Sequence, residues 1–199
     1  EKGKEVAKNM NESNIDMTLA SLDALKLRDE NTVLEIGHGN CGHLNQVLKQ
    51  AENINYFGLE ISETMLNEAK RINATVLTKN NVTFQVYDGE NLPFKNNTFD
   101  KIFTVNTLYF WQQPIKMLNE IGRVLKIDGV FALTFAQKEF MKTIPFVKNK
   151  FNLFDTVGLK KIISKSNFSL EKIIDHKKWV KSKDGKLVNR HYSVVVLKK

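Results

Sequence analysis

The 199-residue sequence contains one cysteine, three prolines and no long apolar run. A lone cysteine, Cys41, excludes a disulfide within the chain and is typical of a reducing compartment, so we expect a cytoplasmic protein. Apolar runs such as residues 130–133 are far shorter than the roughly 20 residues that a membrane-spanning helix needs. No repeat or low-complexity linker divides the chain, which predicts a single domain over residues 1–199. We predict no metal ligands.

The charge of the chain is unevenly distributed. Lysine and arginine number 30 against 22 acidic residues, a formal net charge of +8. Residues 137–199 contain 16 basic and 5 acidic residues, a net +11, and residues 1–136 contain 14 and 17, a net −3. A basic region of this kind is either a solvated surface that aids solubility or a face that attracts an anionic substrate, a nucleic acid or an acidic lipid surface. No lysine cluster is dense enough to decide between these.

Short apolar segments alternate with amphipathic ones along the first two thirds of the chain. Segments near 32–36, 55–59, 82–86, 99–105 and 130–135 predict strands, and the last follows an Asp128-Gly129 turn. Strand alternating with helix predicts an α/β fold, a Rossmann-like, doubly wound and mostly parallel sheet.

Both ends of the chain differ from this pattern. Residues 1–28 predict a helical cap, and the phenylalanine-rich residues 137–158 predict a partly helical insertion that forms a lid over the substrate side. Strands near 168–180 and 188–197 are joined through Asp184-Gly185, which predicts an antiparallel C-terminal hairpin.

A glycine-rich turn with three acids around it indicates a cofactor site. The turn, residues 37–42, has the form G-x-G-x-x-G, which alone fits a dinucleotide such as NAD equally well. Glu35, two residues before the first glycine, would crowd a pyrophosphate, whereas Glu60 and Asp88 end or follow the next two strands. S-adenosylmethionine has an ammonium group, a sulfonium, a ribose diol and no phosphate, so three acids at this edge favour it.

These segments resemble a known family. Residues 33–42 look like motif I of class I S-adenosylmethionine-dependent methyltransferases, and residues 58–69, 88–94 and 120–126 resemble segments of the methyltransferase type 11 branch. The resemblance covers roughly residues 30–136. It implies a seven-stranded sheet of order 3-2-1-4-5-7-6 and an enzyme that methylates a small molecule, as quinone and sterol methyltransferases do.

The resemblance also implies which residues bind the cofactor. The glycine turn would place its backbone against the cofactor, Glu60 would accept hydrogen bonds from the ribose hydroxyls, and Asp88 would accept one from the adenine amine. Ile61 would pack on the adenine, and Glu35 and Asn106 would face the methionine end. The full set is Glu35, Gly37, Gly39, Asn40, Glu60, Ile61, Met65, Asp88, Gly89 and Asn106.

Methyl transfer is an in-line displacement that an enzyme promotes mainly by alignment and desolvation. Tyr109, which follows the fourth strand, is the candidate catalytic residue, with packing as its alternative role. We interpret His38 as a turn residue and His43 as the start of a helix.

The acceptor is expected to be a small molecule, apolar or aromatic or else anionic. An RNA or protein methyltransferase that uses the basic C-terminal third is the main alternative, and a NAD-dependent oxidoreductase and a non-catalytic cofactor-binding module are two others. The sequence gives no indication of oligomeric state.

Overall fold

The computed structural model describes residues 2–144, 147, 151–181 and 187–199, with side chains from Ser13 onward apart from Lys181. These residues form one seven-stranded sheet in the order β3-β2-β1-β4-β5-β7-β6. The predicted strand order and the antiparallel C-terminal hairpin are therefore confirmed.

The first five strands pair in parallel, and β7 pairs antiparallel with both β5 and β6. Buried apolar residues dominate β1, β4 and β5, as expected for strands covered by helices on both faces. The strands are β1 (Thr32–Ile36), β2 (Asn55–Glu60), β3 (Val82–Val86), β4 (Phe99–Val105), β5 (Leu125–Ala136), β6 (Ser169–Lys181) and β7 (Leu187–Lys198).

Helices connect the strands and cover both faces of the sheet. Two of them begin at capping residues, because the side chain of Ser62 accepts a hydrogen bond from Met65 N–H and that of Asp155 accepts one from Gly158 N–H. No helix among the described residues is long and apolar enough to span a bilayer. The helices are α1 (Lys2–Leu25), α2 (Leu44–Leu48), α3 (Glu63–Ile72), α4 (Ala74–Leu77), α5 (Pro114–Val124), α6 (Lys138–Lys142) and α7 (Thr156–Ile163), with a 3-10 turn at Leu108–Phe110.

The N-terminal segment is a long helix that packs across the sheet. Helix α1 contacts β4, β5 and β7. Ser21 Oγ lies 2.6 Å from Thr134 Oγ1, and Arg190 of β7 forms an ion pair with Asp16. The helix therefore runs from the carboxyl ends of the parallel strands, near Asp16, toward the start of β1.

Strand β5 begins earlier than its sequence predicts. The expected start was residue 130, after an Asp128-Gly129 turn, but the strand begins at Leu125, directly after α5. Leu125 pairs with Phe99 and Val130 pairs with Lys101, so the register shifts between these two points. Asp128 adopts a φ of +64° within the extra residues, which explains why the segment has the composition of a turn.

The C-terminal hairpin extends beyond the rest of the sheet. Tyr192 of β7 lies opposite Ala136, the last residue of β5. Residues 177–181 and 187–191 pair with each other beyond this point, an extension of about 17 Å past the carboxyl end of β5. The predicted Asp184-Gly185 turn lies outside the described residues, as do residues 145, 146 and 148–150 of the predicted 137–158 lid.

Candidate functional site

The glycine turn joins β1 to α2 at the carboxyl ends of the strands. Gly37 and Gly39 have φ values of +76° and +58°, a region that side chains disfavour. A Cβ on Gly37 would lie 2.4 Å from the Thr107 methyl group, whereas one on Gly39 would meet no atom within 4 Å. Gly37 therefore allows close packing of two loops, and Gly39 presents bare backbone on an open face.

Glu60, the last residue of β2, is tied to the glycine turn. One carboxylate oxygen accepts a hydrogen bond from Gly39 N–H at 2.9 Å. The other accepts from the N–H groups of Ile61 and Ser62, at 2.9 and 3.1 Å. This carboxylate is buried, so three backbone donors hold it at the edge where parallel strands bind ligands.

Ile61 and Gly89 lie side by side next to Glu60. Ile61 exposes 62% of its surface, unusual for an isoleucine beside a buried acid. Gly89 has a φ of +88°, and a Cβ there would lie 3.5 Å from Ile61 Cγ2. Met65, in the first turn of α3, is half-buried. These residues form an apolar flank to the glycine turn.

Asp88 shapes the loop after β3. Its Oδ1 accepts hydrogen bonds from Asn91 N–H at 2.7 Å and from Glu90 N–H at 2.8 Å, and its Oδ2 accepts one from the Asn91 amide at 2.6 Å. Hydrogen bonds from Asn91 and Glu90 lower the pKa of this exposed carboxyl to about 2. Asp88 is therefore an anion throughout the physiological range.

Asn106 follows β4 and links it to neighbouring elements. Its φ is +58°, and its side-chain NH₂ donates to Asn14 Oδ1 of α1 at 3.2 Å. Its Oδ1 accepts a hydrogen bond from Ala136 N–H at 3.2 Å.

Asn40, in the glycine turn, is buried and accepts a hydrogen bond from Gly42 N–H at 3.2 Å.

Glu35 lies beneath the turn and is fully engaged by other side chains. Its two oxygens lie 3.0 and 2.9 Å from His43 Nε2, and Tyr56 O–H donates to it at 2.5 Å. Burial by itself would raise the pKa of Glu35, but the charge of His43 and the hydrogen bonds more than offset it, so this pKa is lowered. Burial by itself would lower the pKa of His43, but the charge of Glu35 and its hydrogen bond more than offset it, so this pKa is raised.

Cys41 completes this buried network. Its Sγ lies 3.3 Å from the Tyr56 hydroxyl, and Cys41, Glu35 and His43 each offer one possible metal-ligand atom, all within 4.8 Å of one another. Burial raises the pKa of the Cys41 thiol well above its ordinary value, which keeps it protonated. Hydrogen bonds among these side chains account for their proximity.

All ten residues predicted to bind the cofactor lie at or next to the carboxyl ends of β1 to β4. Their individual roles toward the cofactor remain predictions. A family profile described as a methyltransferase domain matches residues 27–189 of the chain. The chain belongs to this family. The fold and the family together place it among the class I S-adenosylmethionine-dependent methyltransferases, with S-adenosylmethionine as cofactor.

Two relatives named as methyltransferases agree with this assignment. The uncharacterized methyltransferase YdaC of Bacillus subtilis is 27% identical over 119 residues, which span 60% of this chain and 64% of YdaC. A 2-methyl-6-phytyl-1,4-hydroquinone methyltransferase of rice is 30% identical over 101 residues, 51% of this chain and 29% of the rice protein. The chain thus matches less than two thirds of the length of either relative.

A solved structure shows the same fold over the whole chain. An S-adenosylmethionine-dependent methyltransferase from Aquifex aeolicus superposes with a TM-score of 0.75 at 20% identity, covering 100% of this chain and 97% of the other.

Tyr109 of the described chain is buried, and its hydroxyl forms hydrogen bonds with backbone groups. The hydroxyl accepts a hydrogen bond from Ala136 N–H at 2.6 Å and lies 2.9 Å from Ala136 O and 3.1 Å from Asn106 Oδ1. Burial raises the pKa of Tyr109, which keeps its hydroxyl protonated at neutral pH and unavailable as a base. These are the contacts of a structural hydroxyl, and a catalytic role for Tyr109 remains a prediction.

An aromatic wall lies next to Tyr109. Phe110 exposes 57% of its surface, and its ring centroid lies 5.1 Å from that of Phe151. The Phe151 ring is also 6.2 Å from the Tyr109 ring, and Asn152 N–H donates to Tyr109 O at 3.3 Å. The methyltransferase therefore presents an apolar surface beside the carboxyl end of β4.

Sequence reasoning missed the buried roles of His43, Tyr56 and His38. The strand register could have indicated Tyr56, because Glu35 pairs with Gly58 and Tyr56 lies two residues earlier on the same face. His38 packs against Phe84 at 4.7 Å between centroids, in space that a side chain on Gly58 would fill. A histidine between two glycines predicts a turn residue, and nothing local indicates its burial.

Proposed function

We propose that this methyltransferase transfers the methyl group of S-adenosylmethionine to a small apolar or aromatic acceptor. The observation that supports this most directly is the wall formed by Phe110 and Phe151, at the edge where Gly39 presents open backbone. Exposed aromatic rings lose water-accessible surface when an apolar ligand binds, which favours that class of acceptor. The rice relative is named for a hydroquinone substrate, which is consistent with it.

In this proposal the acids at the strand ends orient the cofactor. Glu60 accepts hydrogen bonds from the ribose hydroxyls, since its carboxylate is already fixed next to Gly39. Ile61 covers the adenine, with Met65 and Gly89 beside it, and Asp88 accepts from the adenine amine. Asn40 and Asn106 face the methionine end, and Glu35 supports the turn through His43 and Tyr56.

The chemistry is proposed to depend on alignment and desolvation. The acceptor attacks the methyl carbon as the carbon–sulfur bond breaks, and S-adenosylhomocysteine leaves. A wall of aromatic side chains excludes water and holds the acceptor in line, and such positioning can supply effective molarities of about 10⁵–10⁸ M.

A radiolabelled methyl-transfer assay tests the proposal. The protein is incubated with methyl-labelled S-adenosylmethionine and a panel of alkyl phenols, prenylated hydroquinones, long-chain fatty acids, polar amines, RNA and acidic proteins. We expect transfer to an apolar acceptor, and we expect Phe110→Ala to raise its KM more than it lowers kcat, because the ring contributes binding. Ile115→Ala, an exposed residue on α5, is the control. Transfer confined to RNA or protein, or none to any acceptor, contradicts the proposal.

A further inference from the structure

The projecting part of the C-terminal hairpin is a built surface that the proposed reaction does not use. We call residues 177–181 and 187–191 the hairpin arm. It extends past Ala136, and so it lies at the same edge of the sheet as the glycine turn and the aromatic wall. No strand beyond β6 and β7 pairs with it among the described residues.

One face of the hairpin arm is anchored to helix α1. Arg190, which lies opposite Lys178, is buried, and its guanidinium donates to Ser13 O at 2.6 Å and to the Asp16 carboxylate. Lys178 Nζ lies 3.8 Å from the other oxygen of Asp16. The arm is therefore held in place by packing and charge on this face.

The other face of the hairpin arm points away from α1 and is open. Trp179 lies opposite Asn189, and side chains two residues apart on paired strands share a face. Trp179 exposes 67% of its surface and Leu187 exposes 65%. Lys177 lies on the same face, two residues before Trp179. The face thus combines a large aromatic ring, an aliphatic side chain and a basic residue.

This combination fits the surface of a membrane. Tryptophan prefers the interface between headgroups and hydrocarbon, where its ring is apolar and its N–H is polar. Lysines near the surface are attracted to anionic lipids, and the arm belongs to the segment 137–199 with its net charge of +11. Exposed Trp and Lys would also suit single-stranded RNA, but an exposed Leu187 gains nothing from base stacking and does gain from contact with acyl chains.

We propose that the open face of the hairpin arm docks on an anionic lipid surface, with Trp179 and Leu187 at the headgroup boundary and Lys177 against the headgroups. Docking in this way brings the carboxyl edge of the sheet, with Phe110 and Phe151, next to the membrane. The proposal concerns a partner surface and does not depend on which acceptor is methylated.

Vesicle binding by the full chain tests the proposal. Sedimentation with phosphatidylcholine–phosphatidylglycerol vesicles is compared with phosphatidylcholine vesicles alone, with inorganic phosphate as a soluble control. The chain has two tryptophans, and Trp111 is buried, so a Trp111→Phe variant leaves Trp179 as the reporter. We expect binding to anionic vesicles only, a blue shift of Trp179 emission, and loss of affinity as salt increases.

Matched variants locate the contact. Trp179→Ala and Leu187→Ser are expected to weaken vesicle binding at least tenfold, and Lys177→Gln about fivefold. Ile127→Ser and Lys165→Gln are the controls, because they replace an aliphatic and a basic residue near the amino ends of the strands. Ile127 is 72% exposed, and both variants are expected to bind like the unaltered chain. Unchanged S-adenosylhomocysteine affinity shows that each variant is folded.

Three results would each overturn the proposal. The first is no binding to anionic vesicles at low salt, and the second is binding that Trp179→Ala leaves unaltered. The third is an RNA oligonucleotide that shifts Trp179 emission at concentrations where anionic vesicles do not, which would assign the arm to nucleic acid. None of these results alters the assignment of the methyl donor.

Discussion

The carboxylate of Glu35 and the imidazole of His43 form an ion pair beneath the glycine turn, with only 2% and 5% of these residues exposed. Glu35 belongs to β1 and His43 immediately precedes α2, so the pair joins the two elements on either side of the turn. Because residues 37–42 connect these elements, the geometry of the turn depends on a contact that the cofactor does not itself make.

Replacement of His43 by Gln is expected to lower the free energy of unfolding by about 3–5 kcal/mol, because it leaves a buried carboxylate without its charge partner. The folded pKa of His43 is raised, so its contribution is complete below the ordinary value of 6.5 and is lost as pH rises through the raised pKa. The folded pKa of Glu35 is lowered, so its contribution is present above 4.5 and is lost as pH falls through the lowered pKa.

Urea titrations across pH measure this effect as a difference between the two proteins. His38, whose pKa burial lowers, is present in both proteins. The difference should be largest between pH 4.5 and 6.5 and should shrink at higher pH. His191→Gln, which removes a part-exposed histidine 3.8 Å from Asp175, is the control and should cost less than about 1 kcal/mol. Equal losses for both variants would contradict a buried ion pair.

Alanine at Gly37 and at Gly39 should have different effects. Gly37→Ala forces a Cβ to 2.4 Å from Thr107 at positive φ, so we expect a loss of about 2–3 kcal/mol in the free energy of unfolding. Gly39→Ala meets no atom within 4 Å, so only its backbone strain of about 1–2 kcal/mol remains. Its methyl group would nevertheless lie where the backbone of Gly39 is proposed to contact the cofactor. The affinity for S-adenosylhomocysteine should therefore fall at least tenfold.

Thermal unfolding and calorimetry with S-adenosylhomocysteine together separate the two glycines. If Gly39→Ala binds as tightly as the unaltered protein, the open face is not the cofactor face.

Glu60→Gln should weaken S-adenosylhomocysteine binding about tenfold or more, since a charge-assisted hydrogen bond contributes about 1.5–3 kcal/mol. Glutamine keeps one oxygen that accepts from the backbone and loses the hydrogen bonds to the other oxygen, whereas Glu60→Ala would leave all three N–H groups without their acceptor and so destabilise the fold further. Calorimetric affinities are compared with those of Glu63→Ala, an exposed acid three residues later. Similar affinities for the two variants would refute the ribose assignment.

Tyr109→Phe distinguishes a structural hydroxyl from a catalytic one. The hydroxyl partners both backbone groups of Ala136, so its loss should lower the free energy of unfolding by about 1–3 kcal/mol. With an acceptor found, we expect kcat to fall less than tenfold and its pH profile to keep its shape. A fall of about a hundredfold or more at unchanged stability would instead make Tyr109 catalytic.

The sequence predicted the architecture well because periodicity and turn residues are local signals. The alternation of strands and helices, the glycine turn and the position of Glu60 and Asp88 at strand ends all follow from short segments read in order. The early start of β5 was missed because residues 126–129 have turn composition although Leu125 pairs with Phe99 across the sheet.

The partners of Glu35 were missed for a related reason. An acid before a glycine turn indicates a ligand, but whether it faces the cofactor or the interior depends on strand register and on the placement of α2. His43 lies in the next element, 8 residues after Glu35, and Tyr56 lies on the neighbouring strand, 21 residues after it, so the packing of these elements brings the three together. Side-chain partners of this kind are set by tertiary packing.

The direction of helix α1 has a practical consequence for surface attachment. Asp16 of the helix pairs with Arg190 at the edge that holds the glycine turn and the hairpin arm, whereas Lys198 of β7 pairs with Val130 at the opposite edge. A label attached at Ser13 would therefore lie beside the acceptor and vesicle surfaces, and a label attached at Lys198 would lie on the far side. Immobilisation at position 198 leaves the reactive edge accessible, and immobilisation at position 13 obstructs it.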